Sequence, residues 1–424
     1  MNDLKRIVVM GLGYVGLPTA AVFASRRVEV LGVDVNQRAV DTINQGKVHI
    51  VEPSLDIVVR ATVTEGYLRA ATRPEPADAF LIAVPTPFKD GNVPDLSYVE
   101  AATRSLAASL RPGNLVVLES TSPVGTTEAV CEWLAEERPD LTFPHSHGSA
   151  SDIRVAHCPE RVLPGQVIRE LVENDRVIGG ITPYCAETAV TLYRQVVQGE
   201  CVITTARTAE LAKLAENSFR DINIAYANEL SLICDRLDIN VWEMIRLANR
   251  HPRVNILQPG AGVGGHCIAV DPWFIAHSAP EQARLIRTAR DINDHKPDWV
   301  MTKVQSAIER MEQDRPGTQR SDIRVACLGV AFKPDIDDLR ESPALRITQG
   351  IAKLGCQVLV VEPNVRELPP SLQADNIKLV NMLQVLQTAD ITCVLVRHAS
   401  FMEIRNLLHE VDGLIDVVGL TEAP

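Results

Sequence analysis

The sequence predicts an α/β protein in which two doubly wound, Rossmann-like domains are joined by a helical central region with one long helix. Three observations lead to this fold class. A strand, a glycine turn and a helical stretch open the chain, and a weaker version of the same pattern returns near residue 325. The segment between them contains a long run without glycine or proline.

The N-terminal pattern runs from the apolar segment 6–10 through an alanine-rich stretch to a second apolar segment, 28–33, which ends at Asp34. This succession is typical of a β-α-β unit. Further strands are predicted at 79–84 and 115–118, each followed by a loop containing proline or glycine. Strands and helices that alternate in this way predict a parallel sheet.

The second pattern comprises a strand at 325–328, a helix near 343–354 and a strand at 358–361, and we interpret it as an internal repeat. Residues 205–238 predict the long helix, because they are rich in alanine, leucine and glutamate. The polar, turn-rich segment 313–322 is the predicted linker. The predicted domains are therefore residues 1–203, 204–312 and 313–424.

Composition excludes several classes of protein. The chain has 424 residues, 46% of them hydrophobic, and a formal net charge of −12, which argues against a general nucleic-acid binder. Nine cysteines without a C-x-x-C pair indicate neither a disulfide framework nor a metal site. No stretch reaches the roughly 20 apolar residues of a membrane helix, so we expect no membrane insertion and a cytoplasmic location.

The first glycine turn fits a dinucleotide-binding fingerprint. Gly11, Gly13 and Gly16 form G-x-G-x-x-G after a strand and at the start of a helix, where backbone N–H groups bind a pyrophosphate. Asp34 ends the second strand, where a carboxylate accepts the hydroxyls of a ribose and repels a 2′-phosphate. Together these features predict NAD as the cofactor, although a glycine triplet alone would be weak evidence.

Residues 84–87 and 120–127 follow the next two predicted strands, at the sheet edge where open α/β sheets bind ligands. Taken alone, each segment is equally consistent with an ordinary proline turn.

The segment 259–272 carries the strongest chemical signal. Four of the six residues 260–265 are glycine, and Cys267 and Asp271 follow. A thiol at the end of such a loop suits a nucleophile that forms a thiohemiacetal with an aldehyde. Lys213 and Asn217 lie one turn apart on the predicted long helix, where a cation and an amide can stabilise an oxyanion. A lysine on an amphipathic helix is, by itself, more often solvated surface.

In this order, the motifs resemble those of the nucleotide-sugar 6-dehydrogenases, the group that contains UDP-glucose dehydrogenase. The resemblance covers nearly the whole chain and rests on segments 11–16, 120–127, 159–161, 213–228, 264–271 and 329–343.

The resemblance implies a four-electron oxidation of a sugar C6 alcohol that consumes two NAD per turnover. It implies these catalytic roles: Cys267 as covalent nucleophile, Asp271 holding a water, Lys213 and Asn217 steadying the oxyanion, Glu160 assisting hydrolysis and Thr121 bridging substrate and nicotinamide. The product implied is a sugar nucleotide for polysaccharide biosynthesis.

Binding residues are implied in the same way. Those for the cofactor are Gly11, Gly13, Tyr14, Val15, Gly16, Asp34, Arg38, Pro85, Thr86, Thr121, Thr126 and Arg340. Those for the UDP-sugar are Glu160, Arg161, Val162, Lys213, Asn217, Arg220, His251, Arg253, Asn255, Gly264, Phe332 and Lys333. The partner implied is a second copy of the chain, bound through the central helix.

The sugar is indicated by departures from the UDP-glucose pattern. The nucleophile loop reads GGHCIAVD where UDP-glucose enzymes read GGSCFPKD, so Val270 replaces a lysine and His266 precedes the cysteine. Pro164 also stands where those enzymes often carry an acid. The loop is more similar to the 2-acetamido-sugar branch, which implies UDP-N-acetyl-D-mannosamine as substrate, with UDP-N-acetylglucosamine and UDP-glucose as alternatives.

Two other functions remain open at this stage. A hydroxyacid dehydrogenase of the 6-phosphogluconate type shares the Rossmann domain and long helix but takes one hydride and needs no cysteine. A catalytically silent nucleotide-sugar sensor is disfavoured by the presence of both a thiol and a base. His145 and His147 form a short histidine pair, to which we assign no metal.

Overall fold

Two units make up the computed structural model, which describes residues 4–50, 52–162, 165–265 and 267–422. The first unit comprises residues up to Glu216 together with His277–Ala279. The second comprises Asn217–Ala276 and the residues from Pro280 onward. The division falls within one helix, so the chain passes between the units without a loop. The predicted boundaries at 203/204 and 312/313 stay predictions.

The first unit is built on a sheet whose spatial strand order is β10-β9-β8-β7-β4-β1-β2-β3. A separate two-stranded hairpin is formed by β5 and β6. The strands are β1 Arg6–Met10, β2 Glu29–Val33, β3 Leu68–Ala71, β4 Ala79–Ile82, β5 Phe88–Lys89, β6 Val93–Pro94, β7 Leu115–Leu118, β8 Arg154–His157, β9 Arg176–Gly180 and β10 Cys201–Thr205.

Neighbouring strands of this sheet are parallel except for β8 and β9. Buried aliphatic side chains fill both faces of the central strands, as the continuous apolar runs of β1, β4 and β7 require. The predicted parallel, doubly wound architecture is confirmed, with one antiparallel step added at β8–β9. Nothing in the local sequence of β9 distinguishes the two directions.

In the described part of the chain, eight helices of this unit precede the long helix α9. They are α1 Gly16–Ser25, α2 Gln37–Asn44, α3 Leu55–Thr64, α4 Ser97–Ala107, α5 Thr126–Glu137, α6 Pro144–His147, α7 Val167–Glu173, α8 Pro183–Tyr193 and α9 Ala206–Leu237. Helix α9 has 32 residues, which confirms the predicted long helix. No helix within the described residues is long and apolar enough to cross a membrane.

The second unit contains a five-stranded parallel sheet of order β13-β12-β11-β14-β15. Its strands are β11 Arg324–Leu328, β12 Gln357–Val361, β13 Ile377–Leu379, β14 Ile391–Val394 and β15 Leu414–Asp416. Its further helices are α10 Val241–Ala248, α11 Asp271–Ser278, α12 Arg284–Asp314, α13 Pro343–Lys353, α14 Met382–Thr388, α15 Ala399–Met402 and α16 Arg405–Leu408. Short 3₁₀ turns occupy Gly148–Ala150, Arg320–Asp322 and Pro370–Leu372.

The predicted internal repeat is present as the β11-α13-β12 unit. Gly329 follows β11 with φ +86°, as Gly11 follows β1 with φ +89°. Glu362 ends β12 and is buried, where it accepts hydrogen bonds from the amides of Val330 and Ala331 at 2.8 and 3.1 Å. The predicted linker 313–322 begins within the end of α12, because that helix continues to Asp314.

Gly180, at the end of β9, marks a place where strand and helix backbones meet. A Cβ atom there would lie 2.2 Å from the carbonyl oxygen of Thr182 and 2.6 Å from the amide nitrogen of Ala186. Both neighbours are backbone atoms at the start of α8, so they cannot rotate away.

We therefore expect Gly180→Ala to destabilise the protein by about 1–3 kcal/mol, because overpacking displaces α8. The shift of the urea unfolding midpoint measures this effect. Glu187→Ala on the exposed face of α8 is the matched control and should leave the midpoint nearly unchanged. Equal midpoints for Gly180→Ala and wild type would contradict the predicted clash.

Candidate active site

The turn between β1 and α1 has the geometry of a dinucleotide cradle. A Cβ atom on Gly16 would lie 1.8 Å from the carbonyl oxygen of Gly11, so only glycine fits this position. Gly13 has open space around its Cα, which leaves room for a ligand to approach the backbone. Tyr14 is exposed and Val15 precedes the first turn of α1, whose N–H groups face the turn. These residues fit a bound pyrophosphate.

Asp34 stands at the end of β2, as predicted. One carboxylate oxygen accepts the amide of Leu12 at 2.9 Å, and the other accepts the amide of Asn36 at 2.8 Å. A carboxylate has about four acceptor positions, so it can also accept the hydroxyls of a ribose. The predicted contact Arg38 is exposed in α2. Val35, which the sequence analysis did not select, is 97% exposed and offers an apolar surface beside the ribose position.

The loops after β4 and β7 are hydrogen-bonded to each other. Thr86 donates its hydroxyl to the carbonyl of Thr121 at 2.6 Å, and Ser120 donates to the carbonyl of Val84 at 2.7 Å. Pro85 is exposed in the first loop. In the second loop, the buried hydroxyl of Thr126 donates to the carbonyl of Pro123. The structure therefore brings Pro85, Thr86 and Thr121 to one sheet edge, whereas Thr126 contributes mainly to the turn.

The second of these loops is also bonded to α9. Glu210 is buried and accepts hydrogen bonds from the amides of Gly125 and Thr127 at 2.7 and 2.8 Å. It also accepts the hydroxyl of Thr127 at 2.6 Å. Burial raises the pKa of Glu210. Glu210 lies three residues before Lys213, so these bonds connect the cofactor loop to the helix that carries Lys213.

Glu160 lies just beyond β8 in a buried position. Its carboxylate pairs with the guanidinium of Arg176 at 3.0 Å and accepts the amide of Arg161 at 2.6 Å. The side chain of Arg161 pairs with Glu216 at 2.6 Å. Val162 is half-buried, and Pro164 lies outside the described residues. Glu160 is thus held in a fixed orientation by two donors.

Cys267, Asp271 and Asn217 converge in the second unit. The amide of Asp271 donates to the carbonyl of Cys267 at 2.9 Å, which fixes the two residues within one turn. Asn217 donates its side-chain amide to the buried carboxylate of Asp271 at 2.5 Å. Cys267 is the exposed cysteine of the nine, while Cys201 is partly buried and the other seven are buried. His266 lies outside the described residues.

The nucleophile loop packs against the segment that follows β11. A Cβ atom on Gly264 would lie 2.4 Å from the carbonyl of Glu341, and one on Gly265 would lie 2.8 Å from the ring of Phe332. The amide of Gly265 also donates to the carbonyl of Arg340 at 3.1 Å. These glycines therefore permit close backbone approach, which explains the glycine content that the sequence analysis noted.

A buried polar network supports the start of this loop. Asn228 of α9 accepts the amide of Gly260 at 2.9 Å and donates to Asn293 of α12 at 2.9 Å. Asn293 in turn donates to Asp221 at 2.8 Å, and Arg290 pairs with Asp221 at 2.6 Å. The two long helices thereby fix the backbone from which the nucleophile loop departs.

Other predicted substrate contacts are exposed. His251, Arg253 and Asn255 lie in the segment after α10, and Arg220 is exposed on α9. Lys333 is half-buried.

Arg340, the predicted cofactor contact beyond β11, is also exposed. Its guanidinium pairs with Asp338 at 2.6 Å, so a ligand would have to compete with that carboxylate.

Several buried polar residues around the site were not found from the sequence. They are Glu119, Arg176, Tyr193, Glu210, Asp221, Arg290 and Asn293. Glu119 follows an apolar strand, but Asp34 and Glu362 do so as well, so this position did not single it out. The rest occur in helices or strand ends whose sequences give no indication of a distant partner.

Three family models of the UDP-glucose/GDP-mannose dehydrogenase family match the chain. The NAD binding domain matches residues 5–197, the central domain residues 207–295 and the UDP binding domain residues 326–422. In the described residues, no group of histidine, cysteine, aspartate or glutamate side chains is arranged to hold a metal ion.

Two curated relatives differ in the sugar named. The chain is 62% identical to a UDP-N-acetyl-D-mannosamine dehydrogenase of Campylobacter jejuni, over 96% of this chain and 98% of the relative. It is 60% identical to an NDP-N-acetyl-D-galactosaminuronic acid dehydrogenase of Ralstonia nicotianae, over 99% and 97%. Among solved structures, a UDP-D-ManNAc dehydrogenase of Pyrococcus horikoshii is 37% identical with a TM-score of 0.87, covering 99% of this chain and 96% of that one.

We expect Asn228→Ala to lower stability by about 1–3 kcal/mol, because the buried amide of Gly260 and the side chain of Asn293 each lose a partner. The unfolding midpoint in urea measures this change. Glu229→Ala, at the exposed neighbouring position of α9, is the matched control. A midpoint equal to that of Glu229→Ala would show that the network does not hold the loop.

Proposed function

The chain belongs to the UDP-glucose/GDP-mannose dehydrogenase family, and on that premise we propose that it oxidises UDP-N-acetyl-D-mannosamine at C6 to UDP-N-acetyl-D-mannosaminuronate. It is an NAD-dependent dehydrogenase. The observation that carries the mechanism is the exposed Cys267 one turn from Asp271, whose carboxylate is bonded to Asn217.

When bound, NAD would supply the hydride acceptor for each oxidation, so that one alcohol, two NAD+ and one water give one carboxylate, two NADH and three protons. The residues proposed to hold NAD are the turn from Gly11 to Gly16, Asp34 and the loops after β4 and β7. The open backbone at Gly13 and the acid at the end of β2 support this assignment.

Covalent capture is the task proposed for Cys267. In the first oxidation, a water held by Asp271 accepts the proton of the C6 hydroxyl. The Lys213 ammonium stabilises the negative charge that develops on that oxygen. The Cys267 sulfur then bonds to the aldehyde carbon and the carbonyl oxygen takes a proton, which gives a thiohemiacetal. Loss of a hydride from that carbon and of a proton from its hydroxyl oxygen leaves a thioester.

Hydrolysis of the thioester uses a different residue set. A water oxygen bonds to the thioester carbon, Glu160 accepts a proton from that water, and the C–S bond breaks to release the Cys267 thiolate. An asparagine amide has two N–H groups. Asn217 can therefore keep its bond to Asp271 and donate its second N–H to the oxyanion beside the Lys213 cation.

The C-terminal sheet is proposed to bind the uridine diphosphate. Phe332 and Lys333 lie on the segment against which the nucleophile loop packs, and Arg220, Arg253 and His251 offer further donors. Fixed cations suit a diphosphate, because guanidinium groups bind its oxygens with defined geometry.

The identity of the sugar rests on the nucleophile loop and on the relatives. Val270 stands where UDP-glucose enzymes have a lysine, which favours a 2-acetamido sugar. The named sugars of the two curated relatives differ while the identities are 62% and 60%. N-acetylmannosamine is proposed because further relatives at 58–60% identity carry that sugar in their names, and an N-acetylgalactosamine nucleotide is the second candidate.

The cellular setting proposed is the cytoplasm. The nine cysteines form no disulfide within the described chain, which suits a reducing compartment. A nucleotide-linked uronic acid is an activated donor for glycosyl transfer, so the product suits polysaccharide biosynthesis.

A homodimer through α9 is also part of the proposal. Phe219, Tyr226, Ile233 and Leu237 are exposed and recur at intervals of seven and four residues, so they share one face of the helix. The opposite face carries Asp221, Asn228 and other buried residues. Exposed apolar side chains on one helical stripe suit a self-complementary interface with a second copy.

We expect the purified protein to form two NADH per molecule of UDP-N-acetyl-D-mannosamine, measured by absorbance with the sugar limiting. UDP-N-acetylglucosamine, UDP-N-acetylgalactosamine and UDP-glucose, tested side by side, should react at least about 10-fold more slowly in kcat/KM. If another sugar nucleotide reacts faster, the proposed reaction stands and the proposed substrate is wrong. If none of them yields NADH, the proposed activity is wrong.

Cys267→Ser is the control for the covalent step in that experiment. The serine variant should lose acid formation by a factor of about 1,000 or more, because a hydroxyl is a far weaker nucleophile than a thiolate. Cys201→Ser, at a partly buried cysteine remote in sequence, should keep the wild-type stoichiometry.

We expect Ile233→Glu to weaken dimerisation on the order of 100-fold, since it places a charge in the centre of the apolar stripe. Sedimentation equilibrium of the variant should show the mass of one chain at concentrations where wild type shows two. Gln305→Glu, which adds the same charge on the exposed face of α12, is the control. A monomeric wild-type protein would overturn this part of the proposal.

A further inference from the structure

Behind Glu160, the first unit buries a cluster of polar side chains that the proposed mechanism does not use. Glu119 follows β7, Arg176 begins β9, Tyr193 ends α8 and Thr19 lies in α1. All four are at most 3% exposed. Such residues are rarely buried without a partner or a function, so their arrangement needs an explanation.

The cluster forms two hydrogen-bonded halves that meet at Arg176. On one side, the hydroxyl of Tyr193 donates to Glu119 Oε1 at 2.6 Å. On the other side, Arg176 Nη1 donates to Glu160 Oε2 at 3.0 Å and Nη2 donates to the carbonyl of Leu171 at 3.3 Å. Arg176 is therefore bonded directly to one carboxyl, and its guanidinium lies 5.9 Å from the centre of the Tyr193 ring, whose hydroxyl bonds the second.

A small cavity lies between these halves. It is lined by Glu119, Arg176, Tyr193 and Thr19 together with apolar residues. Glu119 Oε2 and Arg176 Nε have no hydrogen-bond partner among the described residues. Glu119 and Arg176 therefore each keep one polar atom that no hydrogen bond within the cluster satisfies.

The charges in the cluster do not balance when both carboxyls are ionised. One guanidinium then faces two carboxylates in a medium that excludes bulk water. Burial raises the pKa of Glu119 to about 7, the bond from Tyr193 opposes that rise, and the charge of Glu160 adds to it. Near neutral pH, Glu119 therefore exchanges a proton and the net charge of the three groups changes between zero and minus one.

Four other titratable groups around Glu119 keep one protonation state over this range. Burial raises the pKa of Cys158 to about 12 and that of Tyr193 well above its usual value. Burial lowers the pKa of His157 to about 3. Burial disfavours the Arg176 cation, but Glu160 and the other acidic groups around it together outweigh that effect and raise the pKa of the guanidinium, which keeps it charged. Glu119 is thus the variable charge beside Glu160.

We propose that Glu119 is a positioning residue that controls, through Arg176, how readily Glu160 takes the proton of the attacking water. When Glu119 is protonated and therefore neutral, the Arg176 cation interacts with the Glu160 carboxylate alone. That interaction makes Glu160 a poorer proton acceptor. When Glu119 is ionised, the Arg176 cation interacts with both carboxylates. Glu160 then becomes a better acceptor for the proton of the attacking water. This inference rests on the proposed function, because it assigns Glu160 to thioester hydrolysis.

The pH dependence follows from that arrangement. Hydrolysis should accelerate as pH rises through neutrality, while the two oxidations, which do not use Glu160, keep their own profile. In Glu119→Gln the side chain is permanently neutral, so hydrolysis should stay slow at pH 8. In Tyr193→Phe the carboxylate loses a donor, so the acceleration should move to higher pH.

The test is a single-turnover experiment with the enzyme in excess over UDP-N-acetyl-D-mannosamine and saturating NAD. Acid quenching and mass spectrometry measure the fraction of Cys267 that carries the sugar nucleotide as a thioester, from pH 6 to pH 9. At pH 8, Glu119→Gln should form NADH at nearly the wild-type rate but release the adduct about 10-fold more slowly. Thr62→Val, a buried hydroxyl of α3 outside the cluster, is the control for lost packing.

Each outcome bears on the inference. Accumulated adduct in Glu119→Gln and a shifted profile in Tyr193→Phe would support it. Wild-type adduct decay in Glu119→Gln, or a uniform loss of all steps without adduct, would overturn it. Failure of the wild-type enzyme to form NADH would instead refute the proposed function. If a variant does not fold, infrared spectra of the wild-type protein still decide, because a protonated buried carboxyl band must disappear as pH rises through neutrality.

Discussion

The requirement that buried polar groups find partners determines how helix α9 is fixed in the protein. Near its start, Glu210 bonds to three donors at the N-terminus of α5. Further along, Asp221 and Asn228 bond into the network of α12 and the nucleophile loop. Lys213 lies three residues after Glu210 in the first unit, and Asn217 lies four residues before Asp221 in the second. Their positions therefore depend on buried hydrogen bonds formed elsewhere in the sequence.

In both Rossmann-like sheets an acidic residue follows the second strand of the β-α-β unit, but its surroundings differ between the two. Asp34 at the end of β2 is half-exposed and bonds to the glycine turn through one oxygen. Glu362 at the matching end of β12 is buried and bonds to two turn amides and to His398 at 3.1 Å. Burial disfavours the Glu362 carboxylate, but the bonds from His398 and from the backbone amides of Val330 and Asn364 together outweigh that effect and lower its pKa. Glu362 is thus used up in hydrogen bonds within the C-terminal sheet. Of these two acids, Asp34 is the one that stays accessible to a ribose.

Sequence reasoning succeeded where structure is determined locally. The glycine turn at Gly11, the strands flanking it and the length of α9 follow from backbone freedom, apolar runs and helix propensity. The antiparallel direction of β9 could not be predicted, because strand direction depends on connections over many residues. The partners of Glu160 and Glu210 were missed for the same reason, since Arg176 and Gly125 lie 16 and 85 residues away along the chain.

The exposure of Cys267 has a consequence for the activity of the enzyme under oxidative stress. A surface that admits a sugar aldehyde also admits hydrogen peroxide, and thiolate character and accessibility determine which cysteine is oxidised first. Seven of the remaining cysteines are buried and Cys201 is partly shielded. Peroxide would therefore inactivate the enzyme by oxidising one sulfur atom, that of Cys267, and would leave both sheets intact. Cellular thiols would reverse that damage at the sulfenic acid stage, whereas further oxidation to the sulfinic acid would make the loss permanent.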